Sequence, residues 1–544
     1  MSFKSFDGGS TTRPNSPQYQ GVPDQRLHTT RDFAKLVPKS RAAHLAFHRV
    51  VLAFEKEPVK YEWHRRFIHV HDAQSILEPD TDGHSSGDSA SSRESSPTLP
   101  MQIYTGFYRL NLNIRPLSRQ YGWVLGCGRW AKKFVEHGGV DLILDPNHNP
   151  AVGGRHCRVN HILDSNALLI IANKRVRVGG TTLDPAQIQI SSRALGEMVT
   201  EIELGDLQYS LEFTDIDQDI YRAQLQTLRA SLDYEGFKPP ETIDPTPSET
   251  DYIIMGKYIV RTSFAKGAFG FVCAAIDQRD GTPVAVKKII ATTSRSHGKV
   301  IQEVKTLRKL MQNSRPSSIL QLVDYFSIDS KDDQGVHECF FICKPLFSKS
   351  LYAFIPPSTA SMSTRLVLFT QMLQGLIWLH DRGCMHRDIK PQNILASIDP
   401  IQAVIIDFGC ATWQETSYEH WVGTYAYLAP EVVDLKNADN ARDPNLPLGN
   451  VYDKSADVWS MGISALELLS TQKHTWTMMS EDIYNQVVRR MLASCRDEEA
   501  MWAFEIISGM LEMDSKKRID KRVLEGRLAA QLYGTEASNK RQHT

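Results

Sequence analysis

The sequence predicts a multidomain chain in which an all-β sandwich precedes a larger domain that contains both strands and helices. Residues 101–215 hold about nine short apolar runs separated by polar turns, such as YRLNLNI, ALLIIA and VTEIEL, which is the pattern of a sandwich. A proline-rich stretch, KPPETIDPTPSET at residues 238–250, then predicts a stiff spacer and a domain boundary near residue 240. The chain has 544 residues, which is too many for one hydrophobic core.

The first hundred residues have the composition of a mostly disordered region. Residues 1–25 and 84–100 are rich in Ser, Thr, Gly and Pro and nearly free of large apolar side chains. Such segments bury too little surface to offset the entropy of the chain. Residues 31–77 contain LAFHRVVLAF and FIHVHDAQSIL, and they leave two alternatives open: a helix or strand that docks on a folded domain, or a linker.

A helix is predicted between the sandwich and the spacer, because apolar residues recur there at helical spacing. These residues are Ile216, Ile220, Tyr221, Leu225, Leu228 and Leu232. The sequence leaves open whether the helix packs on the sandwich or on the larger domain. The predicted domains are a mostly disordered region at 1–100, the sandwich at 101–215, the helix and spacer at 216–250, the larger domain at 251–532 and a tail at 533–544.

Two motifs in the larger domain carry the chemistry of phosphoryl transfer. CMHRDIKPQN ends at Asn393, and IIDFG contains Asp407. The reaction needs an acceptor hydroxyl held in line with the leaving group, and Asp388 is the candidate to orient it. Lys390 can place its ammonium beside the transferred phosphate, while Asn393 and Asp407 offer the oxygen ligands that Mg²⁺ prefers. The two motifs in this order predict a catalytic site that uses ATP and Mg²⁺.

A hairpin upstream of these motifs fits a cover over the phosphates. YIVRTSFAKGAFGFVCAAI, at residues 258–276, has two β-rich arms around a turn of small residues, where backbone N–H groups can approach phosphate closely. Gly267 and Gly270 take the second and third glycine positions of such a loop, and Ala265 stands at the first.

A lysine and a glutamate complete the predicted nucleotide site. The apolar strand VAVK aims Lys287 at the α- and β-phosphates, and Glu303 in the helical run IQEVKTLRKL is its predicted ion-pair partner. The alternative is a solvated lysine and a solvated helix glutamate, and the order of strand, loop and helix favours the ion pair.

With these motifs, residues 251–532 resemble the eukaryotic protein kinase domain. The resemblance continues through LAPE, which ends at Glu431, through DVWSMG, which begins at Asp457, and at Arg518 in DSKKRID. It implies an α+β bilobal fold with a small, mainly β N-lobe, a larger helical C-lobe and ATP in the cleft near a hinge at residues 341–346. It also implies an ion pair between Glu431 and Arg518, and an Asp457 that braces the catalytic loop.

The resemblance further implies the reaction and the nucleotide-binding residues. Lys390 after HRDI and Thr424 before YAYLAPE are similar to serine/threonine kinases, so the implied reaction transfers the γ-phosphate of Mg-ATP to Ser and Thr hydroxyls of protein substrates. Gln392 stands where kinases that select basic substrates carry glutamate, so strong selection for arginine is not expected. The implied ATP-binding residues are Ala265, Gly267, Gly270, Val272, Ala285, Lys287, Glu303, Cys343, Lys344 and Leu346.

Two other functions stay open at this point. A pseudokinase scaffold is favoured by Ala265 and by an insertion between Glu431 and Asp457, while the intact lysine, asparagine and aspartates of the catalytic motifs disfavour it. The second of these hypotheses is a phosphopeptide adaptor whose kinase domain is incidental.

The sandwich resembles a forkhead-associated (FHA) domain, which binds phosphothreonine and precedes the kinase domain in checkpoint-type kinases. The resemblance depends on Gly126 in WVLG, on His156 in GGRHCRV and on VGG at residues 178–180. Three contact positions differ from that family, because Cys127 stands where an arginine is usual, Gly153 where a serine is usual, and Asn173-Lys174 where an Asn-Gly pair is usual.

Three basic residues are the candidates for binding a phosphoprotein partner through this domain. Arg155, Lys174 and Arg175 could make charge-assisted contacts to a phosphate. The alternative is a sandwich that docks other proteins without binding phosphate.

The resemblance also implies regulatory residues in the segment 410–427. Arg387 is similar to the arginine that pairs with a phosphorylated activation segment in many kinases, and Thr416 or Ser417 is the predicted site of phosphorylation. Thr424 is predicted to contact the catalytic aspartate and lysine instead.

The hinge alignment places Cys343 at the position that guards the back of the adenine pocket. Its side chain is small, so a pocket beside the adenine is expected to be accessible. The alternative is that Phe340 or Phe341 closes this pocket.

Composition sets the remaining expectations. Lys and Arg number 62 against 63 Asp and Glu, a net charge of −1, which does not recommend nucleic acid or an anionic membrane as a partner. The 8 cysteines are dispersed and are expected to be reduced thiols. The sequence shows no apolar run of about 18 residues and no apolar signal segment, so residence in the nucleus or cytoplasm is expected.

Overall fold

The structure is a computed structural model that describes the chain in several stretches. These are residues 32–71, 75–77, 101–128, 139–147, 149–187, 191–236, 238–239, 244–267, 270–312, 315–329, 336–440, 451–477, 479–494 and 497–529. The segments 1–25 and 84–100, which are predicted to be disordered, lie outside the described residues.

The strands and helices are numbered in chain order. The strands are β1 (Ala34–Pro38), β2 (Ile68–Val70), β3 (Ser75–Leu77), β4 (Met101–Ile103), β5 (Gly106–Leu110), β6 (Trp123–Gly126), β7 (Leu142–Ile143), β8 (Cys157–Ile162), β9 (Ala167–Ala172), β10 (Val176–Val178), β11 (Thr181–Leu183), β12 (Ser192–Ala194), β13 (Val199–Leu204), β14 (Leu207–Phe213), β15 (Tyr252–Ile254), β16 (Tyr258–Gly267), β17 (Gly270–Asp277), β18 (Pro283–Ala291), β19 (Gln321–Asp329), β20 (His337–Lys344), β21 (Ile394–Ile398), β22 (Ile401–Ile405), β23 (Thr416–Ser417) and β24 (Tyr452–Asp453). The helices are α1 (Arg41–Lys56), α2 (Gln218–Ala230), α3 (Ser294–Leu310), α4 (Met362–Asp381), α5 (Pro430–Asn440), α6 (Ser455–Ser470), α7 (Glu481–Ile483), α8 (Arg489–Ser494) and α9 (Met501–Met510).

The chain divides into two compact units. The N-terminal unit comprises the described parts of residues 1–159, 172–184 and 198–232. The C-terminal unit comprises the described parts of residues 160–171, 185–197 and 233–544. This division differs from the predicted domain boundaries in two respects. Helix α2 belongs to the N-terminal unit, and two segments of the predicted sandwich belong to the C-terminal unit.

A seven-stranded antiparallel sheet is the frame of the N-terminal unit, with the strand order β11-β10-β13-β14-β1-β5-β2. Strand β1 lies between β14 and β5, where Leu36 pairs with Leu211 on one side and Tyr108 on the other. Buried and half-buried residues alternate along β1, as a strand with one face on the core requires. Strand β6 pairs with β8 and β7 in the same unit.

Helix α1 also belongs to this unit, so the unit contains more than the strands of residues 101–215. The hydroxyl of Ser40 caps the helix by accepting a hydrogen bond from the backbone N–H of Ala43 at 3.2 Å. Phe47, Val50 and Phe54 recur at helical spacing and are buried. Of the two alternatives for residues 31–77, the structure therefore has the docked one, and the unit begins well before residue 101.

A six-stranded antiparallel sheet opens the main part of the C-terminal unit, with the strand order β15-β16-β17-β18-β20-β19. Helix α3 follows β18 and begins at a capping box in which Thr293 and Ser296 exchange side-chain and backbone hydrogen bonds. Val304 and Leu307 of α3 are buried in the hydrophobic core. This packing fixes the helix face that carries Glu303.

Strands β9 and β12 pair with each other and pack on that sheet. Ala167, Leu169 and Ala194 form an apolar cluster with Ile259 and Ile276. Two polar contacts accompany it: the Ser165 hydroxyl donates to the carbonyl of Gly281 at 2.6 Å, and the backbone N–H of Ala194 donates to the carbonyl of Gln278 at 2.7 Å. These contacts are the reason that part of the predicted sandwich belongs to the C-terminal unit.

Helices α4 to α9 follow the sheet in sequence and surround the largest hydrophobic core of the described residues. Helix α6 is buried almost throughout, from Asp457 to Leu469, so it can hold polar side chains rigidly in the interior. Within the part of the chain that the structure describes, every helix is too short or too polar to cross a membrane.

Candidate functional site

The catalytic loop lies between α4 and β21, and a buried carboxylate fixes its backbone. Asp457 accepts hydrogen bonds from the backbone N–H groups of His386 at 2.7 Å and Arg387 at 2.8 Å. His380 Nε2 lies 3.1 Å from the same carboxylate. Burial alone would raise the pKa of Asp457, but the hydrogen bonds from His380 and the loop lower it, so the carboxylate stays charged. These contacts match the bracing role that the resemblance implies for Asp457.

The predicted catalytic residues form one hydrogen-bonded cluster. Asp388 accepts hydrogen bonds from Lys390 Nζ at 2.9 Å and from Thr424 Oγ1 at 2.7 Å, one on each carboxylate oxygen. Lys390 Nζ also donates to Thr424 Oγ1 at 2.7 Å. The amide nitrogen of Asn393 donates to the Asp388 carboxylate at 2.9 Å. A hydroxyl, an ammonium and a carboxylate thus meet at one point of the C-terminal unit.

The predicted phosphate-binding lysine lies between two carboxylates. Lys287 Nζ is 3.2 Å from Glu303 Oε1 and 3.6 Å from Asp407 Oδ1. Burial alone would lower the pKa of Lys287, but the charges of Glu303 and Asp407 raise it, so the ammonium keeps its charge. The ion pair predicted from the strand and helix is present, and it ties α3 to β18.

Asp407 adopts a left-handed backbone conformation that carries the next residue into the core. Its φ is 65°, and Phe408 is buried with its ring 5.1 Å from the ring of His386. The catalytic loop and the IIDFG motif therefore pack directly on each other. This contact holds Asp407 in the same region as Lys287.

The hairpin predicted to cover the phosphates is formed by β16 and β17. Its backbone register pairs Gly267 with Gly270 and Ala265 with Val272. The turn itself, residues 268–269, lies outside the described residues. The next pair of strands places Val272 opposite Lys287, so the predicted cover and the lysine are neighbours across β17 and β18.

The predicted hinge follows β20. Cys343 is buried at the end of that strand and pairs with Ala285 of β18. Ala274 and Leu346 form a separate small apolar cluster, and Ala285 packs against it. Burial raises the pKa of Cys343 to about 12, so its thiol is neutral. Lys344 ends the strand and precedes Pro345.

The predicted regulatory residues lie on the other side of the catalytic loop. Arg387 donates to the carbonyl of Cys410 at 2.6 Å and to the hydroxyl of Ser417 at 3.1 Å. Ser417 is 1% exposed, whereas Thr416 is exposed. Arg387 also forms an ion pair at 2.7 Å with Glu419. The sequence reading missed Glu419, although a carboxylate beside two hydroxyl residues is a signal that could have pointed to it.

A buried ion pair in the helical part follows the prediction. Arg518 donates to both carboxylate oxygens of Glu431, at 2.8 and 3.0 Å, and its side chain is 0% exposed. It also donates to the carbonyl groups of Ser455 and Glu512. The implied Glu431–Arg518 pair is confirmed, and it connects α5 to the chain that follows α9.

In the N-terminal unit, His156 links the two loops that carry the predicted phosphopeptide-binding residues. Its Nδ1 accepts a hydrogen bond from the backbone N–H of Gly153 at 3.1 Å, and its Nε2 lies 2.9 Å from the carbonyl of Arg175. The Lys174 backbone N–H donates to the carbonyl of His156 at 2.9 Å. Lys174 and Arg175 are exposed, and Arg155 is partly exposed. The structure brings the three loop positions together without showing a ligand for them.

Comparison with known proteins gives one family and a group of relatives. Residues 258–526 match the family model of the protein kinase domain. Such a domain uses ATP and Mg²⁺. This match covers the cluster around Asp388, the ion pair of Lys287 and the hinge.

The relatives found include mitogen-activated protein kinases. HOG1B of Wallemia ichthyophaga is 31% identical over 222 residues, which are 40% of this chain and 54% of that protein. Hog1 of Aspergillus clavatus has the same identity and coverage. Mitogen-activated protein kinase 13 of Bos taurus is 28% identical over 225 residues, which are 41% of this chain and 56% of that protein. The chain thus spans about half the length of the curated relatives it matches.

Proposed function

We propose that this protein is an active kinase that transfers the γ-phosphate of ATP to Ser and Thr hydroxyls of protein substrates, because residues 258–526 match the family model of the protein kinase domain. The observation that carries the proposal is the cluster of Asp388, Lys390 and Thr424. Each carboxylate oxygen of Asp388 accepts a hydrogen bond, so the group that would orient the acceptor is held in one direction.

The cluster also supports the choice of acceptor. Thr424 Oγ1 donates to Asp388 and accepts from Lys390, so an aliphatic hydroxyl already occupies the position between a carboxylate and an ammonium. A substrate Ser or Thr hydroxyl that reaches Asp388 would find the same pair of partners. Asp388 would accept its proton while Lys390 faces the transferred phosphate.

The residues present fit ATP and Mg²⁺. The amide nitrogen of Asn393 is used by Asp388, which leaves the amide oxygen for a cation. Asp407 also offers a carboxylate, because its contact with Lys287 is longer than the contact between Lys287 and Glu303. Bound Mg²⁺ would neutralise the phosphate oxygens during transfer. Lys287 is held charged by Glu303 and so would bind phosphate oxygens of ATP.

Two substitutions test the proposal. Purified full-length wild type is expected to phosphorylate Ser or Thr of a generic protein substrate with Mg-ATP. Asp388→Asn and Lys287→Met should each lower the rate by about 10³ or more, because each removes a charge that acts on the transition state. Circular dichroism should show that both variants stay folded. Equal residual activity in wild type and both variants would refute the kinase proposal and leave the pseudokinase scaffold.

The phosphorylation site in the activation segment is part of the same proposal. The exposure of Thr416 favours it over Ser417, whose hydroxyl is buried and bonded to Arg387. A kinase or phosphatase can reach an exposed hydroxyl without opening the segment. Mass spectrometry of the active protein, before and after phosphatase, tests this choice.

For the N-terminal unit we propose a role in binding other proteins, with a phosphoprotein as the candidate partner. This proposal is supported by His156, whose hydrogen bonds join two loops and keep Lys174 and Arg175 exposed near one another. A phosphothreonine peptide should bind the full chain more tightly than its unphosphorylated form, and Lys174→Ala with Arg175→Ala should remove the difference. Arg177→Ala is the matched control. Equal binding of both peptides would favour a docking unit without phosphate binding.

We also propose residence in the nucleus or cytoplasm. Among the described residues the cysteines form no disulfide, as expected for a protein kept in a reducing compartment. Imaging of the tagged full chain tests this proposal.

A further inference from the structure

The guanidinium of Arg387 lies at a junction of three chain segments. Its Nε donates to the carbonyl of Cys410, three residues after Asp407, and its Nη1 donates to Ser417 and to the carboxylate of Glu419. The side chain of Arg387 is only 8% exposed. A buried cation of this kind needs an anion close by, and Glu419 is the carboxylate that pairs with it among the described residues.

Two hydrogen bonds fix the backbone of Glu419, whose side chain is 59% exposed. Its N–H donates to the hydroxyl of Ser417 at 3.1 Å, and its carbonyl accepts a hydrogen bond from the hydroxyl of Tyr452 at 2.6 Å. Strand β23 directly before it pairs with β24, with Ser417 opposite Tyr452. Protein groups therefore hold the backbone on both sides of Glu419, and its carboxylate supplies the negative charge beside Arg387.

This arrangement reaches the catalytic aspartate by two routes. Arg387 precedes Asp388 directly, and its backbone N–H is held by Asp457. Gly423 packs so closely on the loop that a Cβ there would lie 2.6 Å from the carbonyl oxygen of Arg387. The next residue, Thr424, donates to Asp388. Release of Arg387 from the segment would thus disturb both the backbone and the hydroxyl partner of Asp388.

We propose that Glu419 is a positioning residue that gives Arg387 its anion within the chain, so that the activation segment is ordered and the kinase is active without a phosphate on that segment. The proposal rests on the proposed kinase function. The carboxylate of Glu419 then has the role that the sequence predicts for phosphorylated Thr416 or Ser417, which is to pair with Arg387. A phosphate on Thr416 would then act on an enzyme that is already active.

The test uses the full-length protein after phosphatase treatment, with mass spectrometry to verify that the segment is unmodified. Wild type should keep its rate. Glu419→Gln should lower kcat about tenfold, the loss expected for one charge-assisted hydrogen bond, and should leave the KM for ATP unchanged. Glu415→Gln removes an exposed carboxylate of the same segment and should leave kcat unchanged.

A double-variant comparison separates positioning from a general loss of stability. If Glu419 acts through Arg387, then Arg387→Gln and the double variant with both Arg387→Gln and Glu419→Gln should show the same kcat. Once Arg387 is replaced, the loss of the Glu419 charge removes no further contact. The melting temperatures of Glu419→Gln and wild type should agree closely, and Glu419→Asp should recover part of the rate.

The outcomes distinguish this proposal from the proposed function. If wild type transfers no phosphate even before phosphatase treatment, the kinase function itself fails. If wild type is active and loses its rate with phosphatase, the anion of Arg387 is a phosphate and the inference is wrong. If the treated wild type and Glu419→Gln have equal kcat, Glu419 does not position the site.

Discussion

Glu467 of helix α6 is buried and accepts a hydrogen bond from the hydroxyl of Tyr427 at 3.0 Å. The same carboxylate accepts the backbone N–H of His474 at 2.9 Å. Burial and the charge of Glu467 both raise the pKa of Tyr427, so the phenol stays protonated and donates. Tyr427 lies three residues after Thr424, and this contact therefore anchors the segment that carries a hydroxyl of the catalytic cluster.

Tyr427→Phe should destabilise the protein by about 1–3 kcal/mol, because it removes one donor from a buried carboxylate and adds no new partner. The free energy of unfolding in urea measures the loss. Tyr425→Phe is the matched control, since Tyr425 is 44% exposed and should change stability little. Equal stability of the two variants would mean that Glu467 gains a replacement partner when the phenol is removed.

The Glu431–Arg518 pair predicts a larger effect. Arg518→Ala should cost about 3–5 kcal/mol, because it leaves the charge of Glu431 without its partner and frees two carbonyl groups. Lys517→Ala changes the preceding residue, whose side chain is 76% exposed, and should stay close to wild type. Thermal unfolding of wild type, Lys517→Ala and Arg518→Ala in parallel checks that Arg518→Ala has the lowest melting temperature. A melting temperature for Arg518→Ala equal to that for Lys517→Ala would contradict a stabilising role for the pair.

The proximity of the predicted catalytic residues could be foreseen because they stand in short, contiguous motifs. Asp388, Lys390 and Asn393 lie within six residues of one another, so their proximity follows from the chain itself. The Lys287–Glu303 pair was also predictable, since a strand followed directly by a helix brings their ends together. Local order along the chain carries this information.

The rest depends on contacts between distant segments, which no local pattern encodes. Glu419 pairs with an arginine 32 residues earlier, and the hydroxyl residues beside this carboxylate do not by themselves show which cation lies next to it. Strand β1 enters the middle of a sheet whose other strands come from far along the chain. The run ALLIIA was predicted as a strand, but its sequence does not indicate which surface it packs on. In the structure Leu169 lies in one apolar cluster with Ile259.

Acid should destabilise the protein through His161 of β8. Burial lowers the pKa of His161 from its usual 6.5 to about 3. Between these two values the unfolded chain binds a proton that the folded chain does not, so the contribution of this group favours unfolding as the pH falls below 6.5. At pH 5 this single group lowers the free energy of unfolding by about 2 kcal/mol relative to its value well above pH 6.5.

The change in unfolding free energy between pH 7 and pH 5 measures this effect. His161→Gln should show a smaller loss than wild type over that interval, whatever its absolute stability. His71→Gln removes an exposed imidazole and should show the same loss as wild type. Parallel curves for wild type and His161→Gln would show that the folded protein takes up the proton at this site.

The last prediction concerns Cys343 and the adenine pocket. Cys343 is 6% exposed and pairs with Ala285, and the neutral thiol is small, so an inhibitor with a bulky group beside its adenine mimic should bind the wild type. Cys343→Phe should weaken that inhibitor at least tenfold, the scale of a few lost methylene contacts, while the KM for ATP changes little. Cys339→Ala, on the same strand but farther from the hinge, is the control for a general effect on β20. The same inhibitor affinity in wild type and Cys343→Phe would show that Phe340 or Phe341 closes the pocket or that the hinge lies elsewhere.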